Sequence, residues 1–204
     1  MLDLGITLVG SAAREMAAVR AGFKRLELRG TALSLRSLFA SPPDGGESVD
    51  AARRPAMRPW PIEVPGVPPA VRVVLQQPLR LQRRGRLVGP DELDVPALAT
   101  ALMRRVSALS EIAAGQPIHA DFAGIKAACS HDVSMRDAAL RWFDDTRYSG
   151  RQGQRIPVGG LLGAFTLVGG LAPLWPWLWV GQWTHMGKGA VMGLGGYRLE
   201  SLAV

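Results

Sequence analysis

The chain has 204 residues, 48% of them hydrophobic and 20% charged, which excludes global disorder and allows one generous domain or two small ones. A single cysteine, Cys129, excludes a disulfide framework and a Cys-based zinc cluster, and points to a reducing, cytoplasmic compartment. The net charge is +7 and 21 of the 24 basic residues are arginine; such an excess suits planar, two-point contact with phosphate, although a GC-rich genome produces the same bias.

In chain order, Leu2, Leu4, Ile6 and Leu8 alternate with smaller or polar residues and predict a strand. Asp3 and the lack of a basic leader argue against a secretory signal. Ser11 is placed to cap a helix whose face carries Met16, Val19 and Phe23. After Gly30, residues 33–39 predict a further strand. A strand, helix and strand cannot close a core without a partner layer, so residues 1–40 read as part of a domain. Residues 41–70 read as a linker or long loop, because residues 41–69 hold eight of the fifteen prolines together with Gly45, Gly46 and Gly66.

A second unit begins at Val71. Val71, Val73 and Leu75 predict a strand that Pro78 interrupts and Leu79 and Leu81 resume, followed by the basic cluster Arg80, Arg83, Arg84 and Arg86. Asp94 caps the strongest helix, with Pro96 in its first turn, an apolar stripe of Leu98, Leu102, Val106, Leu109 and Ile112, and Gly115 as its stop. Arg104 and Arg105 lie off that stripe and are expected in solvent. A short helix is expected around residues 122–129, then a strand over residues 133–143. Residues 147–155 form a polar, basic connection, and residues 158–171 a Gly-rich strand. A short aromatic helix over residues 174–179 and a last strand over residues 191–199 complete the order. That order is β-α-β-β-α-β, the ferredoxin-like sequence of elements, in an α+β fold. Residues 156–187 carry no charged side chain, a length that admits a membrane span; seven glycines and three prolines favour a buried strand, a turn and a short helix instead.

Three segments have the composition for chemistry. Gly187-Lys188-Gly189 through Gly193-Leu194-Gly195-Gly196-Tyr197 is a Gly-rich loop with one cation. Glycines let backbone N–H groups approach a phosphate, but the spacing is neither that of a P-loop nor of a dinucleotide fingerprint, and alone it reads equally as a tight packing turn. Arg147, Tyr148, Arg151, Gln152 and Arg155 fall within nine residues; arginine clamps phosphate and tyrosine stacks on bases, while an exposed hairpin made soluble by charge has the same composition. His119, His131 and His185 have no metal-ligand spacing with one another or with an acid, so no metal and no cofactor is expected. His119 and His131 are expected at the surface or as caps. His185, beside the Gly-rich loop, is placed for a general acid or base, or is structural. Trp175, Trp177, Trp179 and Trp183 are expected in the core.

Taken together, Arg147-Tyr148-Ser149 with Arg151-Gln152, Gly159-Gly160-Leu161-Leu162-Gly163, His185-Met186-Gly187-Lys188-Gly189 and Gly193-Leu194-Gly195-Gly196-Tyr197 resemble, in order, the C-terminal half of the CRISPR-associated precursor-crRNA-processing endoribonucleases of the repeat-associated mysterious protein superfamily. The resemblance covers residues 71–199, and Leu4-Gly5-Ile6-Thr7-Leu8-Val9-Gly10 more loosely resembles a late strand of the family's first domain. It implies two tandem ferredoxin-like domains, here a partial one at residues 1–40 and a C-terminal one at residues 71–204. It also implies binding of CRISPR repeat RNA, contact with other CRISPR-associated proteins, no membrane, and metal-independent cleavage by the ribose 2′-hydroxyl. RNA contacts are implied for Lys188, Gly187, Gly189, Gly193 and Gly195, and for Arg147, Tyr148, Arg151, Gln152 and Arg155. The family's catalytic histidine stands in the first helix of the first domain. That helix is expected upstream of Met1, so the chain is expected to be truncated at its N-terminus. His185 matches a family position near the loop and is the candidate acid or base here; the alternative is a non-cutting RNA-binding subunit of an effector complex.

Overall fold

The computed structural model describes residues 8, 15–23, 27–28, 31–32, 39–40, 49–50, 63–149 and 153–202. The chain divides into two compact units, residues 1–63 with 109–116, and residues 64–108 with 117–204. In the first, the expected helix is present as α1 (Met16–Phe23). Two short antiparallel pairs follow, β1 (Glu27–Leu28) with β2 (Thr31–Ala32), and β3 (Phe39–Ala40) with β4 (Val49–Asp50). Met1, upstream of which the family's catalytic histidine is expected, lies outside the described residues. So do all but the last residue of the strand expected over residues 2–8, the Ser11 cap, and most of the strand expected over residues 33–39.

The second unit is a four-stranded antiparallel sheet with helices between its strands. Its first strand, β5 (Ala70–Leu79), buries Val71, Val73, Leu75 and Leu79. Pro78 does not break it. The register against the neighbouring strand shifts between Leu161 and Gly163, opposite this stretch, so the missing N–H of proline falls at an irregularity, where it is tolerated. A tight hairpin follows, β6 (Gln82–Arg83) and β7 (Arg86–Leu87). Its two-residue turn, Arg84-Gly85, has φ of 52° and 82°, the left-handed pair that matches strand twist.

Helix α2 (Val95–Ala114) starts where the sequence expects, with Asp94 accepting the Ala97 N–H at 2.8 Å. Leu98 and Leu102 are buried and Val106 packs against the core, but Ile112 is exposed, so the buried stripe is shorter than the sequence suggests. Asp121 caps α3 (Phe122–Asp132) through the Gly124 N–H. Then come β8 (Val133–Phe143), the hairpin of β9 (Thr146–Ser149) and β10 (Gln154–Pro157), and β11 (Gly160–Gly169). The aromatic helix α4 (Trp175–Thr184) is longer than expected, and the last strand, β12 (Tyr197–Leu202), starts later. Residues 190–192 form a 3₁₀ turn instead of strand, because the glycines on both sides have positive φ.

The sheet order is β12-β5-β11-β8, all neighbours antiparallel. Its core joins Val71, Val73, Phe165 and Leu167 to Leu98 and Leu102 of α2 and to Trp175 and Leu178 of α4. The charge-free stretch is thus a core strand and a ten-residue helix. Among the described residues no helix is long and apolar enough to cross a membrane.

Tyr197 locks β12 to α4. Its buried hydroxyl donates to the Leu178 carbonyl at 2.7 Å, and Gly181 makes the room, since a Cβ there would lie 2.1 Å from that hydroxyl. Burial raises the phenol well above its usual range. A raised folded-state value means the neutral form's contribution is complete below about pH 10, the unfolded value, and is lost as pH rises beyond it. Urea denaturation should therefore show stability falling above about pH 10. Tyr197→Phe should be less stable by about 1–2 kcal/mol at neutral pH and show a smaller alkaline loss.

Candidate nucleic-acid interface

The Gly-rich loop joins α4 to β12, and its path is set by glycines that other backbone approaches closely. His185 ends α4 with φ 59° and gives its N–H to the Gly181 carbonyl at 2.8 Å. Met186 is fully buried. At Gly187 (φ 82°) a Cβ would lie 2.6 Å from the Arg80 carbonyl, and at Gly195 (φ 70°) 1.9 Å from the Met186 carbonyl. The Lys188 N–H donates to the Arg80 carbonyl at 2.8 Å and the Gly195 N–H to that of Pro78 at 3.0 Å. The Gly196 carbonyl accepts from Gln76 and Gln77. Met192 and Leu194 donate to the Gly189 carbonyl and Gly193 to that of Ala190. These N–H groups are thus taken up within the protein, and the glycines serve close packing and turning. Outward the loop offers the side chains of Lys188, Val191 and Met192, of which Lys188 carries the charge.

Lys188 and Gly187 line a cleft of about 760 Å³. Among the described residues, its other cations are Arg80, Arg83, Arg84, Arg104, Arg105 and Lys126, against one carboxylate, Asp94. The sequence places Arg80, Arg83 and Arg84 in one cluster but does not join them to Lys188, more than a hundred residues away. Antiparallel packing does so, by laying the loop on the end of β5. Asp94 pairs with Arg83, and Glu92 binds Arg86 through both oxygens at 2.8 and 3.1 Å, so the hairpin is held to the start of α2. The Arg86 bond and the Gly89 N–H lower the Glu92 carboxyl below its ordinary value, and the same pairing raises Arg86.

Arg104 is exposed as expected, but Arg105 is not. Arg105 is half-buried, and its Nε donates to the Thr184 carbonyl at 2.9 Å, at the end of α4. Burial lowers this guanidinium from its ordinary value. Its position one residue beyond an exposed arginine carries no sequence signal; the contact exists because α4 ends beside α2.

His185 is half-buried and is not among the residues lining the cleft. Its Nδ1 lies 3.2 Å from the Leu194 carbonyl and its ring packs at Gly196. Arg147, Tyr148 and Arg155 stand exposed on the β9–β10 hairpin, with Tyr148 paired across to Arg155 and Arg147 to Ile156. They do not line the cleft. Arg151 and Gln152 lie outside the described residues. His119 and His131 are exposed. Trp175 and Trp177 are in the core, and Trp179 meets Trp183 edge-on at 5.3 Å.

Residues 73–197, more than half of the chain, match the family model of the CRISPR-associated endoribonuclease Cas6. The chain belongs to this family. No curated protein matches it. Among solved structures, Cas6 (TTHB231) in its product complex matches with 15% identity and a TM-score of 0.50 over 65% of this chain and 52% of that one. The Thermus thermophilus Cas6 (TTHB231) structure gives 15%, 0.49, 65% and 54%, and the Cas6 (TTHA0078) product complex 19%, 0.45, 67% and 53%. The likeness to the TTHB231 product complex is one of fold, and the chain spans about half the length of each of these three structures.

The two kinds of glycine in the loop should separate on mutation. Gly195→Ala places a methyl on the Met186 carbonyl at positive φ and should destabilise the protein by about 3 kcal/mol or more. Gly193→Ala faces open space and should lose only the backbone term, about 1 kcal/mol. Urea titration of the two variants checks the difference.

Proposed function

We propose that this chain binds the repeat RNA of a CRISPR transcript in the basic cleft beside the Gly-rich loop, and processes it by metal-independent cleavage. The observation that carries the reading is the convergence of Lys188 with six other cations on one cleft. An array of that kind neutralises successive phosphates and releases counterions, so affinity should fall steeply with salt. Family membership supplies the substrate class, and the TTHB231 relative was solved as a product complex. The sheet order, with strand-helix-strand-strand-helix-strand connectivity, supports reading residues 71–204 as a ferredoxin-like domain. Residues 1–40 are read as a partial second one and residues 41–70 as the connection. The reading places the protein in the cytoplasm.

Cleavage follows the chemistry of the 2′-hydroxyl. A base takes its proton, the oxygen attacks the adjacent phosphorus, and the bond to the 5′-oxygen breaks as that oxygen gains a proton. The products end in a cyclic phosphate and a 5′-hydroxyl, and cations stabilise the charge on the phosphorane. His185, the candidate acid or base, stands beside the loop but outside the cleft lining, so it acts only on a phosphate that runs past Lys188 onto the loop. When its Nδ1–H is given to the Leu194 carbonyl, Nε2 is left as the nitrogen that accepts a proton. The same contact also suits a histidine that only ties α4 to the loop, and then the chain is an RNA-binding subunit that does not cut.

Incubation with a repeat RNA in EDTA tests the reading. A product ending in a cyclic phosphate is expected; RNA left intact at high protein concentration but tightly bound supports the non-cutting subunit, and no salt-dependent binding sinks both. Lys188→Ala should weaken RNA binding and reduce the salt slope by about one, measured by filter binding across a salt series. His185→Ala should lower single-turnover cleavage by about 10²-fold or more with RNA affinity retained, and an altered melting temperature with an unchanged rate would assign it to packing.

A further inference from the structure

Arg80 touches both the Gly-rich loop and the β9–β10 hairpin, and two glycines clear its way. Its carbonyl accepts the Lys188 N–H at 2.8 Å, anchoring the Gly-rich loop. Its side chain reaches in another direction, where Nη1 donates to the Pro157 carbonyl at 2.5 Å, at the last residue of the β9–β10 hairpin. Gly187 makes room for the carbonyl contact. Gly160 makes room for the side chain, since a Cβ there would lie 2.9 Å from Arg80 Cγ and 2.6 Å from the Leu79 carbonyl. At the base of the hairpin the Val158 and Gly159 N–H groups donate to the Asp145 carbonyl, and the Thr146 N–H to the Asp145 side chain. Arg80 Nε is buried and meets no acceptor among the described residues, so the guanidinium is held through Nη1. Arg80 also lines the cleft.

We propose that Arg80 is a positioning residue that joins the cleft and the β9–β10 hairpin into one RNA-binding surface. A strand lying on Lys188 is then continued over Arg147, Tyr148 and Arg155. This rests on the reading of the cleft as an RNA site. A hairpin of two four-residue strands is marginal by itself, and a fixed base lets its cations meet a bound strand at lower entropic loss. The role divides within one residue: the Arg80 carbonyl anchors the loop, and the guanidinium grips the hairpin.

Arg80→Met keeps the aliphatic stem and removes the donors. Amide exchange of residues 154–156 should quicken in this variant while that of Val73 and Phe165 in the central sheet stays as in the wild type; unchanged hairpin exchange overturns the proposal. Affinity for a single-stranded repeat RNA should drop about tenfold, with the effect of hairpin substitutions lost in the same background. Arg147→Ala should reduce the salt slope by about one in the wild type and leave it unaltered beside Arg80→Met. An equal reduction in both backgrounds would show the two elements to be independent. Arg80→Lys, which retains a charged donor, should restore much of the hairpin protection, and no restoration by either probe counts against a positioned donor. Wild-type protein without salt-dependent RNA binding removes the RNA reading itself, whereas the exchange experiment judges the Arg80 tie with no RNA present.

Discussion

Two carbonyl groups at the end of β5, those of Pro78 and Arg80, accept the N–H groups of Gly195 and Lys188. That docking sets where the loop after α4 runs, and the site depends on it. The approach is close enough that a Cβ at Gly187 or Gly195 would strike a carbonyl oxygen. Side chains are excluded there by contact distance, and positive φ compounds the exclusion. Lys188, between two such glycines, is left on the cleft side.

The cations of the cleft come from the end of β5, the β6–β7 hairpin, α2, α3 and the loop. Like charges gathered in this way repel one another. The fold offsets part of the repulsion with Asp94, which meets Arg83; next to the cleft, Glu92 meets Arg86. Those acids serve local structure as well. Asp94 caps α2, and Glu92 accepts the Gly89 N–H. Arg104, Lys126 and Lys188 have no ion-pair partner within the described residues, so an anion arriving in the cleft meets cations that those residues have not neutralised.

Much of the second unit was legible because its local signals agree. Alternation in Val71, Val73 and Leu75, the Asp94 cap with Pro96, and the bounds of β8 all carry over into the structure. Pro78 misled because its effect depends on the pairing around it, and the register shift that leaves residues 76–78 of β5 out of step with β11 removes the conflict. Residues 191–196 misled because apolar content suggested strand, whereas positive φ at Gly189, Gly193 and Gly195 turns the chain first. The four glycine and arginine blocks identified the family, but not the task each glycine performs. Composition permits phosphate contact and close packing equally, and only the neighbouring carbonyls distinguish them.

By itself, the sequence determined the α+β class of the second unit, its principal helix, its buried strands and its kinship with the Cas6 family, since these rest on periodicity, capping and motif order along the chain. Tertiary structure alone decided that Lys188 shares a cleft with Arg80, Arg105 and Lys126, that Arg105 is half-buried, and that Arg80 reaches the hairpin base. Each of these joins residues dozens of positions apart, and their meeting is set by strand order and by the packing of α4 beside α2, which no local pattern encodes.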